Sequence, residues 1–308
     1  MTIYVAGIKG LVGSSLGELA RSKGFKVEGR SSQELDFTDR DAVFEEILKV
    51  KPEFLVVAAA KVGGIAANSK YPVDFLSINL QIQTNLIDAA HFAQIRKVLF
   101  LGSSCIYPKF SPQPIKEDSL MTGKLEETNE PYALAKIAGV GLISAYRKQY
   151  DYSWISAMPT NLYGPRDNFD LESSHVMPAL IRKFHEAKMS QAESVEIWGD
   201  GTPLREFLFV EDFAEACLTL LELYNESGAI NVGSGQEISI ADLSQLIASV
   251  VGFEGHITFN ASKPNGTPRK LLDSSRIFNL NWRPRTKLKD GINATYQWYL
   301  TNLNKGNK

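Results

Sequence analysis

The chain has very little cysteine: Cys105 and Cys217 are the only two among 308 residues. Two thiols cannot build a disulfide framework, nor supply the four thiolates of a structural zinc site. Histidine is nearly as scarce, at four residues, and no metal is expected. Long hydrophobic runs are missing. The longest, Phe54 to Ala60, falls far short of the ~20 residues needed to span a bilayer. The opening Met1-Thr2-Ile3-Tyr4-Val5 enters a strand without a charged leader or cleavage site, so no secretory signal is expected. Charge of one sign is lacking as well: 33 basic and 35 acidic residues leave a net −2. That removes any global pull toward nucleic acid or an anionic membrane, and neither is expected as a partner. With 44% hydrophobic and 22% charged residues, the composition is that of a folded globular chain. A cytoplasmic location is the expectation.

At roughly 150 residues per domain, the length suggests two domains or one large α/β unit. The first half alternates strand and helix. Ile3–Ala6, Lys26–Gly29, Phe54–Ala60, Val98–Leu101 and Trp154–Met158 read as strands. Between them, Val12–Lys23, a segment capped by Thr38, a long run around 74–94 and Pro131–Tyr150 read as helices. Such alternation implies a Rossmann-type, doubly wound parallel sheet with right-handed crossovers. After Pro159 loops lengthen, and Pro, Gly and aromatic residues cluster. Ser239 and Asp242 form a capping-box pattern for a helix to Val251, and Leu288, Ile292, Tyr296, Tyr299 and Leu303 mark a last amphipathic helix. The expected division is a nucleotide-binding domain over 1–160, with 206–232 returning to it. A smaller α+β substrate region comprises 161–205 and 233–308.

Gly7-Ile8-Lys9-Gly10-Leu11-Val12-Gly13 follows a strand and opens a helix. Glycines at these places let the backbone turn tightly and approach a pyrophosphate on the helix N-terminus. The spacing is GxxGxxG rather than GxGxxG. Enzymes that use NAD commonly place an acid at the end of the second strand, for the ribose 2′-hydroxyl. Here that end reads Gly29-Arg30-Ser31-Ser32. Arg30, with Lys9, could pair with a 2′-phosphate, which favours NADP(H). The alternative is that both cations are solvated surface residues.

Tyr132 and Lys136 are four apart on a helix and so share a face. An ammonium close to a phenol favours phenolate and lowers its pKa. The pair follows a strand that ends Leu101-Gly102-Ser103-Ser104-Cys105, and ligands of open α/β sheets collect at the carboxyl ends of strands. Ser103 is placed to polarise a carbonyl. Cys105, two residues on, would point the same way in an extended segment, where its thiolate could take a proton from carbon beside a ketone. Cys217, inside an apolar helix, reads as a packing residue. His175 precedes a helix, His91 and His185 read as helix-surface residues, and His256 as a strand-edge residue.

Together these stretches resemble the GDP-L-fucose synthase family of the extended short-chain dehydrogenases. The resemblance rests also on Ala58–Gly64, Gly102–Pro108, Asn129–Tyr132, Pro159–Pro165, Ser174–Leu180, Trp198–Phe207 and Lys263–Asp273, and spans nearly the whole chain. It implies 3,5-epimerisation and NADPH-dependent 4-keto reduction of GDP-4-keto-6-deoxy-D-mannose. Cys105 would be the base, His175 the acid, Tyr132 the proton donor, and Lys136 and Ser103 its helpers. Leu101, Gly102, Ser103, Ser104, Lys136, Pro159, Thr160, Asn161, Leu162 and His175 would line the cofactor. Lys183, Trp198, Arg205, Asn265 and Lys270 would hold the substrate. Ile8-Lys9, Lys183 and Asn265 depart from the His-Arg, Arg and Asp of many relatives. The resemblance further implies a homodimer through the helices near 74–94 and 131–150, with Ala133, Ala135, Ala138, Gly139 and Gly141 allowing close approach. Two other readings stay open: a GDP-L-colitose synthase on the 3,6-dideoxy ketosugar, and a catalytically silent NADP-binding regulator.

Overall fold

The computed structural model describes residues 1–263 and 265–303. Pro264, within the Lys263–Asp273 motif, and 304–308, the end of the expected substrate region, lie outside the described residues.

The first half runs β1 (Thr2–Ala6), α1 (Leu11–Ser22), β2 (Lys26–Arg30), α2 (Arg40–Val50), β3 (Phe54–Val57), α3 (Ile65–Lys70), α4 (Pro72–Phe92), β4 (Lys97–Leu101), α5 (Glu130–Tyr150) and β5 (Ile155–Pro159). The second half continues with β6 (Asn161–Tyr163), α6 (Val176–Met189), β7 (Ser194–Trp198), β8 (Leu204–Phe209), α7 (Val210–Leu223) and β9 (Ala229–Val232). It closes with β10 (Glu237–Ser239), α8 (Ile240–Val251), β11 (His256–Asn260), β12 (Arg269–Lys270), α9 (Ser275–Phe278) and α10 (Leu288–Asn302).

A six-stranded parallel sheet has the order β2-β1-β3-β4-β5-β9. Strand alternation sends Ile3, Val5, Val56, Leu99 and Ile230 into one core, under α1 and α7. It sends Tyr4, Ala6, Leu55, Val98 and Phe100 into another, under α2, α4 and α5. Both faces are therefore covered, which accounts for continuously apolar strands such as β3. The fold is the expected doubly wound Rossmann-type sheet.

Beyond it, β8 pairs with β6, β10 and β12, and β7 pairs with β11. A third core of Phe184, Ile197, Phe207, Phe209, Leu243, Ile247 and Tyr296 joins these strands to α6, α8 and α10. Thus β9 completes the large sheet, whereas β8 lies in the smaller one.

Several local expectations change. The cap of α2 is Asp39, whose side chain accepts from Ala42 N at 3.1 Å; Thr38 instead donates its hydroxyl to Asp36 at 2.8 Å. Strand β3 ends at Val57, because Ala58 and Ala59 pack on Gly7 and lead the chain over the strand ends. His91 and His185 are half-buried, against Tyr152 at 2.9 Å and Tyr296 at 3.0 Å, rather than surface residues. Ser239 Oγ does cap α8, accepting from Asp242 N at 3.0 Å, and its hydroxyl donates to Asp242 Oδ2 at 2.6 Å. Among the described residues, no helix is long and apolar enough to cross a membrane.

Candidate active site

The glycine loop lies at the carboxyl end of β1. Gly7 N and Ile8 N donate to Arg30 O at 2.9 and 3.2 Å, which ties the loop to the end of β2. Gly7 has φ +85, and a Cβ there would meet Ala59 N at 2.9 Å. A Cβ on Gly13 would lie 2.1 Å from Gly7 O, so α1 starts close only because that residue is glycine. Gly10 caps α1 with no side-chain hydrogen bond, which leaves the first amides of the helix, at Leu11, Val12 and Gly13, to an anion. Arg30 pairs with Glu46 at 3.1 Å and Lys9 with Glu34 at 3.0 Å, and Lys9 stays largely exposed. A cavity of about 200 Å³ opens beside them, lined by Arg30, Glu34, Leu35, Glu46 and Lys49.

At the end of β4, the chain does not stay extended beyond Ser103. Residues Ser104–Ile106 form a single 3-10 turn, and Ser103 Oγ accepts from Cys105 N at 3.2 Å. Turn geometry, not strand alternation, presents Cys105. Its sulfur accepts from Asn129 Nδ2 at 3.4 Å and from Lys270 Nζ at 3.8 Å. Lys136 is buried in α5, and its Nζ donates to Leu101 O at 2.8 Å. It lies 4.9 Å from the Phe100 ring centre and 5.8 Å from that of Tyr132. Burial lowers its pKa to about 8.

The expected lowering of the Tyr132 pKa does not occur. Burial first, and then the charge of Cys105, push its pKa above the ordinary tyrosine value; a hydrogen bond toward Ser103 opposes them. The Lys136 ammonium is turned to the Leu101 carbonyl rather than to the phenol oxygen, so it does not override burial.

Tyr132 stacks edge-on with Phe75 at 6.3 Å. Phe75 lies against Gly63, and Gly64 N donates to Ser173 O at 2.9 Å. This chain of contacts brings the loop of His175 toward the Tyr132 side of the site. His175 caps α6. It is exposed, and desolvation lowers its pKa.

The cations come from the smaller sheet. β12 pairs in parallel with β8, so that Arg205 and Lys270 are direct partners and share a face. Burial lowers the pKa of Arg205, and the charges of Cys105 and Glu126 oppose that shift. Arg205 also donates to Asn265 O at 3.4 Å, and Asn265 Oδ1 accepts from Asp200 N at 2.9 Å. Trp198 is 54% exposed, with Lys183 at 5.8 Å and Lys263 at 5.4 Å from its ring centre. Thr160 and Asn161 donate to Glu206 O at 3.1 and 2.8 Å, which fixes the Pro159–Leu162 stretch at the edge of the same cleft.

The structure thus brings Ser103, Cys105, Tyr132, Lys136, Arg205 and Lys270 together. Sequence reasoning passed over Asn129 and Lys263. Both lie inside motifs it used, but a helix-capping position and a loop lysine carry no chemical signal of their own. Cys217 is buried with no exposed surface, as a packing residue.

Fold and site together define a class: a nucleotide-dependent oxidoreductase and epimerase built on a Rossmann-type sheet. The profile of the NAD dependent epimerase/dehydratase family matches residues 3–233. GDP-L-fucose synthase 1 of Arabidopsis thaliana is 53% identical over 302 residues, covering 98% of this chain and 94% of that protein. The GDP-L-colitose synthase of Yersinia pseudotuberculosis is 39% identical over 306 residues and 99% of both chains. A solved GDP-L-fucose synthetase from Naegleria fowleri bound to NADP is 28% identical, with a TM-score of 0.91 over 100% of this chain and 96% of that one. The chain belongs to the NAD dependent epimerase/dehydratase family and, within it, to the family of the GDP-L-fucose synthases.

Proposed function

We propose that this protein converts GDP-4-keto-6-deoxy-D-mannose to GDP-L-fucose, by 3,5-epimerisation followed by 4-keto reduction with NADPH. One observation carries the reading: the sulfur of Cys105 sits beside Lys270 and Asn129, next to the Ser103–Tyr132–Lys136 set. A plain ketone reductase has no use for a thiol there. The identity of 53% to a fucose synthase, against 39% to a colitose synthase, favours the fucose product.

The chain fits a dinucleotide. Side chains at Gly7 and Gly13 would fill the cradle that receives its pyrophosphate. Arg30 and Lys9 are suited to a 2′-phosphate. The Lys9 pair with Glu34 is exposed, and such pairs contribute only ~0–1 kcal/mol. A doubly charged phosphate can therefore recruit Lys9 readily, whereas Arg30 would reach it from beside the largely buried Glu46. Leu101–Ser104, Lys136, Pro159–Leu162 and His175 would border the nicotinamide end. When bound, NADPH supplies the hydride.

The rest of the chemistry belongs to the protein. The 4-ketone acidifies the hydrogens on carbons 3 and 5. Cys105 takes each proton, with the Lys270 ammonium as charged partner to its thiolate. Ser103 holds the enolate oxygen. His175, in its imidazolium form, returns a proton on the opposite face. Cys105 then carries one proton and His175 lacks one; both reset against solvent. In the reduction, Tyr132 gives its proton to the alkoxide at carbon 4. Its raised pKa keeps the phenol protonated until that charge develops. Lys183, Arg205 and Lys270 suit the diphosphate, and Trp198 offers a ring face for stacking.

The nucleotide half comprises 1–160 with 210–232, and the substrate half 161–209 with the remainder. A homodimer forms through α4 and α5. Ala133, Ala135 and Gly139 are buried in their own protomer, so Leu134, Ala138 and Gly141, which face outward, make the contact.

Turnover of the ketosugar with NADPH in deuterated water tests the reading. GDP-L-fucose labelled at carbons 3 and 5 supports it. Reduction without label leaves a simple reductase, and turnover of only the 3,6-dideoxy ketosugar makes it a colitose synthase.

A further inference from the structure

Asn129 stands at the N-cap of α5, where asparagine ordinarily accepts a hydrogen bond from an amide of the first helical turn. It makes no such bond. The side chain turns away and gives its Nδ2 to Cys105 Sγ at 3.4 Å, while its Oδ1 is buried without a partner. Other asparagines in and around the large sheet behave differently. Asn68 donates to Gly63 O and Gly64 O, Asn79 to Lys61 O and Phe75 O, Asn85 to Phe37 O and Thr38 O, and Asn231 to Ile115 O and Asp273 O. Each ties backbone together. Among the described residues, the one hydrogen bond from the Asn129 side chain goes to a side-chain sulfur. It forgoes a helix cap worth ~1 kcal/mol and leaves an acceptor unsatisfied.

We propose that Asn129 is a positioning residue for Cys105: its amide fixes the sulfur and stabilises it as the thiolate that abstracts protons. The proposal rests on the reading of Cys105 as the epimerisation base. An amide donor suits an anionic sulfur, and charge-assisted hydrogen bonds are about twice as strong as neutral ones. The charged and titratable groups facing the sulfur are Lys270 on β12, Arg205 on β8 and the phenol of Tyr132 on α5, with Glu126 acting on Arg205. Asn129 supplies the uncharged donor of that set, from the helix that carries Tyr132 itself. It thereby sets the sulfur in register with the phenol.

The test is the rate of alkylation by iodoacetamide as a function of pH, with no substrate present. Cys217 is fully buried, so Cys105 reports alone. In Asn129→Ser, which keeps a good helix cap, the curve should move to higher pH by about one unit, the loss of one hydrogen bond to a charged group. In Asn129→Asp, also a good cap, it should move further, because a carboxylate then faces the sulfur. A helix-capping role alone would move neither. Unchanged curves in both variants, or equal shifts in both, overturn the proposal. Deuterium uptake into the ketosugar should fall about tenfold or more in Asn129→Ser. If the wild-type protein turns over no ketosugar, the proposed function fails, while the alkylation curves still decide the role of Asn129.

Discussion

Two residues whose burial moves their titration in the same direction serve different ends. Burial raises the pKa of Tyr132, which suits the proton donation proposed for it. Tyr132→Phe should reduce ketone reduction by about 100-fold or more while deuterium still enters at carbons 3 and 5. Loss of exchange in step with reduction would contradict separate roles. Asp167, in the loop between β6 and α6, has a carboxyl that burial holds up at about 7, with one oxygen accepting from Asn168 N at 2.8 Å and the other unpartnered. In the unfolded chain an aspartate ionises near 3.9. Between about 4 and 7 the folded protein therefore holds a proton that the unfolded chain releases, and stability falls as pH rises across that window. Asp167→Asn should unfold at a higher temperature than wild type at pH 8, and the gap should shrink toward pH 4. Thermal melts by circular dichroism at pH 4, 6 and 8 check this, and a gap independent of pH sinks it.

Elements decide how closely the cofactor is approached. Helix α1 begins against the Gly7 carbonyl, and any side chain at Gly13 drives it away from the pyrophosphate cradle. Gly13→Ala should weaken NADPH binding by at least tenfold, roughly the ~1.4 kcal/mol that one lost anion contact represents; nucleotide fluorescence titration reads it. This element was legible in the sequence because its requirement is steric and local. So were the buried strands and long helices, whose periodicity extends over many residues. The short strands β6, β10 and β12, at three, three and two residues, were not. A pair of residues has no period, and the adjacency of Arg205 and Lys270 exists only through β-sheet register. The Cys105 turn escaped for a related reason. Its direction depends on Ser103 capping the next amide but one, which no pattern of apolar residues encodes. Asn129 was hidden by its own plausibility, since an asparagine before Glu130-Pro131 reads as a helix cap and nothing more.

At the scale of the molecule, α4 and α5 lie side by side on one face of the large sheet, joined by Gln83 Nε2 donating to Ala135 O at 2.7 Å. Their outward surface carries Val73, Leu134, Ala138 and Gly141. Ala138→Glu places a charge where the proposed twofold contact brings small residues together, and it should convert the proposed dimer to monomer by sedimentation. A dimer that persists unchanged would place the contact elsewhere.

The two-residue strand β12 has a consequence for how such a protein diversifies. Ser103, Tyr132 and Lys136 are set by the large sheet and by α5, whereas Lys270 reaches the sulfur from a strand held to β8 by only Arg269 and Lys270. The loop before it, from Asn260 onward, carries Lys263 and Asn265 alongside Trp198 and Arg205. The loop ahead of β12 thus lies on a stretch of chain distinct from the one that carries Ser103, Cys105, Tyr132 and Lys136. Exchange of about ten residues ahead of β12 could change which sugar nucleotide is admitted and leave the proton and hydride machinery in place.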